Sequence, residues 1–264
     1  MDRRHLVVDD GTSIGYIVGG ADDAPIVFVH GWCSNAGHFE HQLVAFAPEH
    51  RVLAIDRRGH GSSEIVDAGY TAERHADDLR AVLDHEGLEQ VVIVGHAGGC
   101  PSVLHFAAHN SDRCKALVLL DTRISPRADL RGADRSSPLA QMVAAIADDT
   151  TFEQIYRGFV DARRPELVER VVNDAMGVPR AVAQEDLASL AIDTVSLAAR
   201  VRCPVLWVAA GDVDRTALRE AFDTIDFHVV TDSGHFVQLE VPDQVNDAIA
   251  TFLDADPIRS PRIG

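Results

Sequence analysis

Predominantly apolar runs, interrupted only by Arg51 and His228, recur along the chain at 26–29, 51–55, 91–94, 116–120, 204–210 and 227–230. Runs this short and this continuous are the pattern of strands covered on both faces. Between them lie stretches with apolar residues at helical spacing, predicting helices over 37–46, 71–86, 101–110, 215–222 and 242–254. Leu79, Val82 and Leu83 form the apolar stripe of the second, which has Thr71 at a cap-like start. Pro242 opens the last at its first turn. Two further strands, 5–8 and 13–18, meet at Asp10-Gly11, a hairpin-type turn. Strand alternating with helix predicts an α/β class, a mainly parallel twisted sheet flanked by helices.

Residues 123–198 break the alternation. They read as helical, polar and rich in Arg and Asp, with no strong strand. The expected organisation is a core domain of 1–122 and 199–264 with a helical cap, 123–198, inserted over the carboxyl edge of the sheet. Open α/β sheets bind ligands at that edge. The Pro/Arg/Ser-rich tail 255–264 is expected to be loose.

The stretch Val91 to Cys100 carries the candidate chemistry. An apolar run ends in Gly95-His96-Ala97-Gly98-Gly99, and a helical pattern follows. Strand, tight glycine turn and helix form the context of a nucleophile elbow, Gly-x-Ser-x-Gly. The glycines are needed because a side chain there clashes in a turn that pushes the central residue outward. The central residue here is Ala97, and a methyl group cannot attack a carbonyl.

Composition narrows the partners. The chain has 264 residues, 46% of them hydrophobic, enough for one α/β domain with a full core. Its 24 basic and 41 acidic residues give a net charge of −17 with no basic cluster, which argues against nucleic acid or an anionic membrane. No signal-type segment or bilayer-length apolar run is visible. Cys33, Cys100, Cys114 and Cys203 are scattered without CxxC pairs, as in reduced cytoplasmic proteins. His105 and His109 lie four apart on a helix but lack a third ligand, so no metal is expected.

The chain resembles the α/β-hydrolase fold superfamily. The resemblance rests on five motifs in order: His30-Gly31-Trp32, Arg58-Gly59-His60-Gly61-x-Ser63, the elbow, Gly211-Asp212-Val213-Asp214 and Ser233-Gly234-His235. It implies that His235 is the general base and Asp214 the acid that orients it, with Asp121, at the end of the strand after the elbow, as the alternative acid. It implies an oxyanion hole made by the Trp32 and Gly98 N–H groups. Gly31, Trp32, His96, Tyr156 and Phe236 are the expected substrate contacts. Leu139, Met142, Phe152, Phe159, Leu167 and Met176 belong to the cap, in its own core or in the pocket. Cys33 and Cys100 lie near the elbow but carry no sign of activated thiols, and His60 and Ser63 are expected to stabilise their own loop.

The resemblance further implies a small hydrophobic substrate as the partner, no cofactor, and a homodimer as a possible assembly. Three functions remain open at this point. One is a hydrolase of the Ser-His-Asp type, for a small ester, lactone or activated C–C bond, with its nucleophile replaced by Ala97. The second is a cofactor-independent dioxygenase, which uses a His–Asp dyad on a 3-hydroxy-4-quinolone-like substrate and O2. Gly31-Trp32-Cys33 and the position of Asp121 resemble those enzymes. The third is a non-catalytic small-molecule binder.

Overall fold

The computed structural model describes residues 1–126 and 138–255. Eight strands form one sheet: β1 (Asp2–Val7), β2 (Ser13–Gly20), β3 (Ile26–Val29), β4 (Arg51–Ile55), β5 (Val91–His96), β6 (Cys114–Leu120), β7 (Val205–Ala209) and β8 (Ile225–Val229). Their order is β1-β2-β4-β3-β5-β6-β7-β8. The two pairings made by β2 are antiparallel and the others are parallel.

The continuous apolar runs have the predicted cause. Along β5, Val91 and Ile93 enter one core while Val92 and Val94 enter the other, and Val27/Val29 and Ile26/Phe28 of β3 divide the same way. A period of two with both faces apolar leaves no polar position on a central strand. Helices α2 (Ala72–His85), α3 (Cys100–His109) and α9 (Arg215–Ala221) supply the first core; α1 (Glu40–Phe46) and α11 (Pro242–Leu253) supply the second. Thr71 caps α2 by accepting from Arg74 N–H. Two elements differ from the periodicity. Strand β5 runs two residues past the apolar run, through Gly95 and His96. A four-residue helix, α10 (Val237–Glu240), lies in a stretch too short for a helical period to register.

Between β6 and β7 the chain makes α4 (Pro138–Ala145), α5 (Asp149–Arg157), α6 (Pro165–Met176), α7 (Arg180–Ser189) and α8 (Thr194–Ala198). A third apolar cluster joins these helices to the core: Phe152, Tyr156, Val171 and Leu187 pack with Trp32, Tyr70, Phe236 and Leu239. Leu167 and Met176 also pack against it. Part of the 123–198 segment and nearly all of the tail expected to be loose lie outside the described residues.

A buried ionic cluster fastens α7 to the loop after β4. Arg57 donates to both oxygens of Asp186 at 3.1 and 2.5 Å, and His75 lies 3.1 Å from the same carboxylate. Both charged side chains are sealed from solvent, at 3% and 0% exposure. Burial pushes the Asp186 carboxyl pKa up, but the Arg57 charge and the His75 hydrogen bond outweigh it and hold it well below the usual range. His60 and Ser63 serve their own loop as expected: His60 Nδ1 bonds the Arg58 carbonyl and Ser63 Oγ the Asp56 carbonyl.

Candidate active site

The elbow forms where the sequence puts it. Val94 is in the core, β5 ends at His96, and Ala97 turns the chain with φ of +46° before α3 begins. That conformation favours glycine, and an alanine held in it is strained by about 1–2 kcal/mol. Cys33 (φ +44°) and Asp121 (φ +40°) share the left-handed region, so strained backbone gathers around this point. The turn is tight enough to need its glycines. A Cβ on Gly98 would sit 3.0 Å from both N and Cβ of Trp32, and one on Gly99 would collide with the His30 carbonyl. The loop after β3 and the elbow therefore touch through backbone.

His235 reaches the same place from the far end of the chain. Its Nδ1 lies 2.6 Å from Asp121 Oδ2. The other Asp121 oxygen accepts from Ala210 N–H at 3.0 Å, and its own N–H donates to the Val208 carbonyl at 2.8 Å. Burial pushes the Asp121 pKa up; the hydrogen bonds from His235 and Ala210, with the charge of His235, bring it below the ordinary value, so the carboxylate is ionised. A carboxylate at Nδ1 fixes the tautomer with the proton there and leaves the Nε2 lone pair for chemistry. Next door, Thr122 Oγ1 donates to the Ala97 carbonyl at 3.1 Å, tying the carboxylate's loop to the elbow.

The expected pairing of His235 with Asp214 is corrected. Asp214 caps α9, accepting from the N–H groups of Thr216 and Ala217 at 3.1 and 3.0 Å. Its carboxylate is committed to those orphan helix amides. The sequence held the signal, because an aspartate directly before a predicted helix at 215 is a capping pattern.

His96 is buried and neutral. Burial, then repulsion from His235, lowers its pKa to about 3. Its Nε2 donates to the His235 carbonyl at 2.9 Å. Neither cysteine is an activated thiol: burial pushes Cys100 up to about 12 and Cys33 well above its usual value. His105 and His109 stack on each other at 4.2 Å. No cluster of His, Cys, Asp or Glu suited to a metal occurs among the described residues.

A cavity of about 370 Å³ opens over the elbow. Trp32, His96, Ala97, Gly98, Asp121, His235 and Phe236 form its floor, and Leu139, Met142, Tyr156, Phe159 and Leu187 come from the helical segment. Of the expected substrate contacts, Trp32, His96, Tyr156 and Phe236 line it; Gly31 instead packs against His96, where a Cβ would lie 3.0 Å from Nδ1. Phe152 is fully buried in the helical cluster. Two hydrogen bonds hold the Trp32 loop to the helices: Trp32 Nε1 donates to the Ala183 carbonyl at 2.8 Å, and Tyr156 OH donates to the Trp32 carbonyl. A wider concavity, about 580 Å³ around Asp23, Phe46 and Lys115, lies at the amino ends of the strands, away from these groups.

A doubly wound sheet with a sharp turn after its fifth strand and a histidine–carboxylate pair over that turn defines a class of enzyme scaffold. The comparisons agree: the profile of the Alpha/beta hydrolase family matches residues 26–248, and the chain belongs to that family. It is similar to a soluble epoxide hydrolase of Corynebacterium sp. (strain C12), 28% identical over 94% of this chain and 96% of that protein. It is 35% identical to the bifunctional esterase/perhydrolase DCH of Acinetobacter calcoaceticus, in a match spanning 46% of this chain and 45% of that one. Among solved structures, Est816, described as an N-acyl homoserine lactone degrading enzyme, superposes with a TM-score of 0.81 at 27% identity, covering 94% of this chain and all (100%) of that one. A thermophilic esterase from Thermogutta terrifontis superposes at 0.82 with 24% identity, over 96% and 98% of the two chains, a likeness of fold. No helix among the described residues is long and apolar enough to cross a membrane.

Proposed function

We propose that the protein is a general-base enzyme of this family that works without a covalent enzyme intermediate. His235 takes a proton from the substrate, Asp121 stabilises the imidazolium, and the Trp32 and Gly98 N–H groups receive the developing oxyanion. The observation that carries the reading is the pairing of His235 with Asp121 beside a methyl group at position 97. A base with no nucleophile at hand suits a reaction whose first step is proton abstraction from the substrate itself. The substrate class that fits is a small hydroxyl-bearing heteroaromatic ring of the 3-hydroxy-4-quinolone type. Loss of its O–H proton to Nε2 leaves a ring anion, which donates an electron pair to O2: a C–O bond forms as the O=O π bond breaks, and the resulting ring peroxide anion takes the proton back from the His235 imidazolium. The apolar walls suit a flat ring. Two fixed N–H donors are worth on the order of 3 kcal/mol each toward the anion. In this reading residues 123–198 are a cap over a core of 1–122 and 199–264.

A second reading is favoured by the kinship to an epoxide hydrolase and to a lactone-degrading enzyme. Here the natural chemistry is hydrolysis of a small ester or lactone, and Ala97 holds the strained place of a serine. The two are separated by one experiment. Oxygen uptake is measured with 3-hydroxy-4-quinolones, and ester and lactone hydrolysis is measured in parallel, for the protein and for Ala97→Ser. Oxygen consumption that disappears in His235→Ala supports the first reading. No oxygen uptake, together with hydrolysis gained by Ala97→Ser, overturns it in favour of the second. Tight binding with no turnover in either form overturns both.

A further inference from the structure

The loop that carries His235 is held by a carboxylate outside the dyad. Glu240, on α10, has a side chain with 0% exposure. Its Oε2 accepts from Gly234 N–H at 2.9 Å and its Oε1 from Phe236 N–H at 3.0 Å, the residues on either side of His235. Oε2 also accepts from Asp161 N–H at 2.9 Å, in the loop between α5 and α6. His235 closes the arrangement by donating its own N–H to the Phe159 carbonyl at 2.7 Å. The fit leaves no slack, since a Cβ on Gly234 would lie 2.6 Å from that carbonyl. Arg164 Nε stands 3.8 Å from Oε2.

We infer that Glu240 is a positioning residue: it clamps the backbone on both sides of His235 and locks it to residues 159–161 of the helical segment, fixing where Nε2 stands over Ala97. A buried carboxylate is costly unless hydrogen bonds satisfy its lone pairs. Here backbone amides of two separate loops supply them, so the carboxylate's oxygens are fully satisfied only when both loops are in place. The helical segment and the base therefore move together. His96 holds the His235 carbonyl from below, so the backbone of this residue is tied at its N–H, at its carbonyl and through both neighbours. The clamp rests on His235 being the base, as proposed above, but its presence can be read without turnover.

The test uses Glu240→Gln, which keeps the shape but turns an amide NH2 toward at least one of the three backbone donors. The expected result is a kcat lowered roughly 100-fold with KM changed less than threefold, because a misplacement near 1 Å costs about that much in rate. A second readout is the downfield Nδ1–H proton resonance of the His235–Asp121 hydrogen bond, assigned by its absence in His235→Ala. It should broaden or vanish in Glu240→Gln. In the unmodified protein, the Gly234 and Phe236 amides should exchange with deuterium far more slowly than ordinary loop amides, a measurement that no variant's misfolding affects. Slow exchange with a lost resonance supports the clamp. An unchanged resonance and rate in a folded Glu240→Gln protein, or fast exchange at both amides, overturns it. Failure of the proposed function would show as absent turnover in the unmodified protein, with the resonance and exchange results still deciding Glu240.

Discussion

Replacing Asp186 with alanine tests the ionic cluster beneath the helical segment. The carboxylate has no exposure and takes two hydrogen bonds from Arg57, at 3.1 and 2.5 Å, and one from His75 at 3.1 Å. Removing it strands a guanidinium at 3% exposure, whose nearest remaining acceptor is the Gly31 carbonyl at 3.4 Å. An uncompensated buried charge of this kind costs about 3–5 kcal/mol. At about 2–4 °C per kcal/mol for a chain near this size, the melting temperature should fall by roughly 10 °C. With a urea m-value of about 3 kcal/mol/M, the midpoint should drop by roughly 1.3 M. The double variant Arg57→Met/Asp186→Leu removes both charges and fills the space, so it should recover most of the loss, to within about 2 kcal/mol. The measurement is equilibrium urea unfolding followed by far-UV circular dichroism. A cost below about 1 kcal/mol for Asp186→Ala, or a double variant no better than the single, would refute the account of the cluster as a mutually compensated buried pair.

Other expectations concern the site and its surroundings. Asp121→Asn should lower the rate roughly 10³–10⁴-fold by misorienting His235, whereas Asp214→Ala should leave the rate alone and cost about 1 kcal/mol through the lost helix cap. Steady-state kinetics and melting curves on the two variants check both halves. Ala97→Gly should stabilise the fold by up to about 1 kcal/mol, since glycine adopts the positive φ at 97 without strain; a lower melting temperature would contradict this. Burial lowers the pKa of His75 and of His96 to about 3 each. The unfolded chain therefore binds protons that the native one refuses, and stability present above pH 6.5 is lost as pH falls toward 3. Between pH 6.5 and 5 each group removes about 2 kcal/mol, so acid unfolding should begin well above the carboxylate range. A flat stability profile from pH 7 to 5 would sink that expectation.

What the sequence reveals about this protein follows from the range of each interaction. Strand β3 and strand β5 are legible because both of their faces are apolar, a local property. The elbow is legible because Gly98 and Gly99 meet other backbone, which excludes side chains whatever the distant sequence. His235 is legible from its place after Gly234 near the end of the chain. Its partner is harder to read. Two aspartates end segments beside adjacent strands, and the choice depends on where β6 and β7 stop and on α9 taking Asp214 as its cap. Glu240 is invisible to pattern, because its donors are backbone amides, which every residue type carries. The same holds for Arg57 with Asp186, whose numbers are 129 apart and whose meeting depends on how α7 lies.

The excursion that roofs the cavity leaves the sheet after β6 and returns at β7, and those two strands are hydrogen-bonded neighbours. Because the two strands are parallel, the chain leaves at the carboxyl end of β6 and must cross back to the amino end of β7, a return made through α8 against α3; changes of length and shape before that return leave the register of every strand untouched. In the function proposed above, such a segment sets the choice of ligand separately from the histidine–carboxylate pair. Under the inferred clamp there is one condition: any altered roof must still offer a carbonyl and an amide where Phe159 and Asp161 stand, or the imidazole beneath it loses its footing.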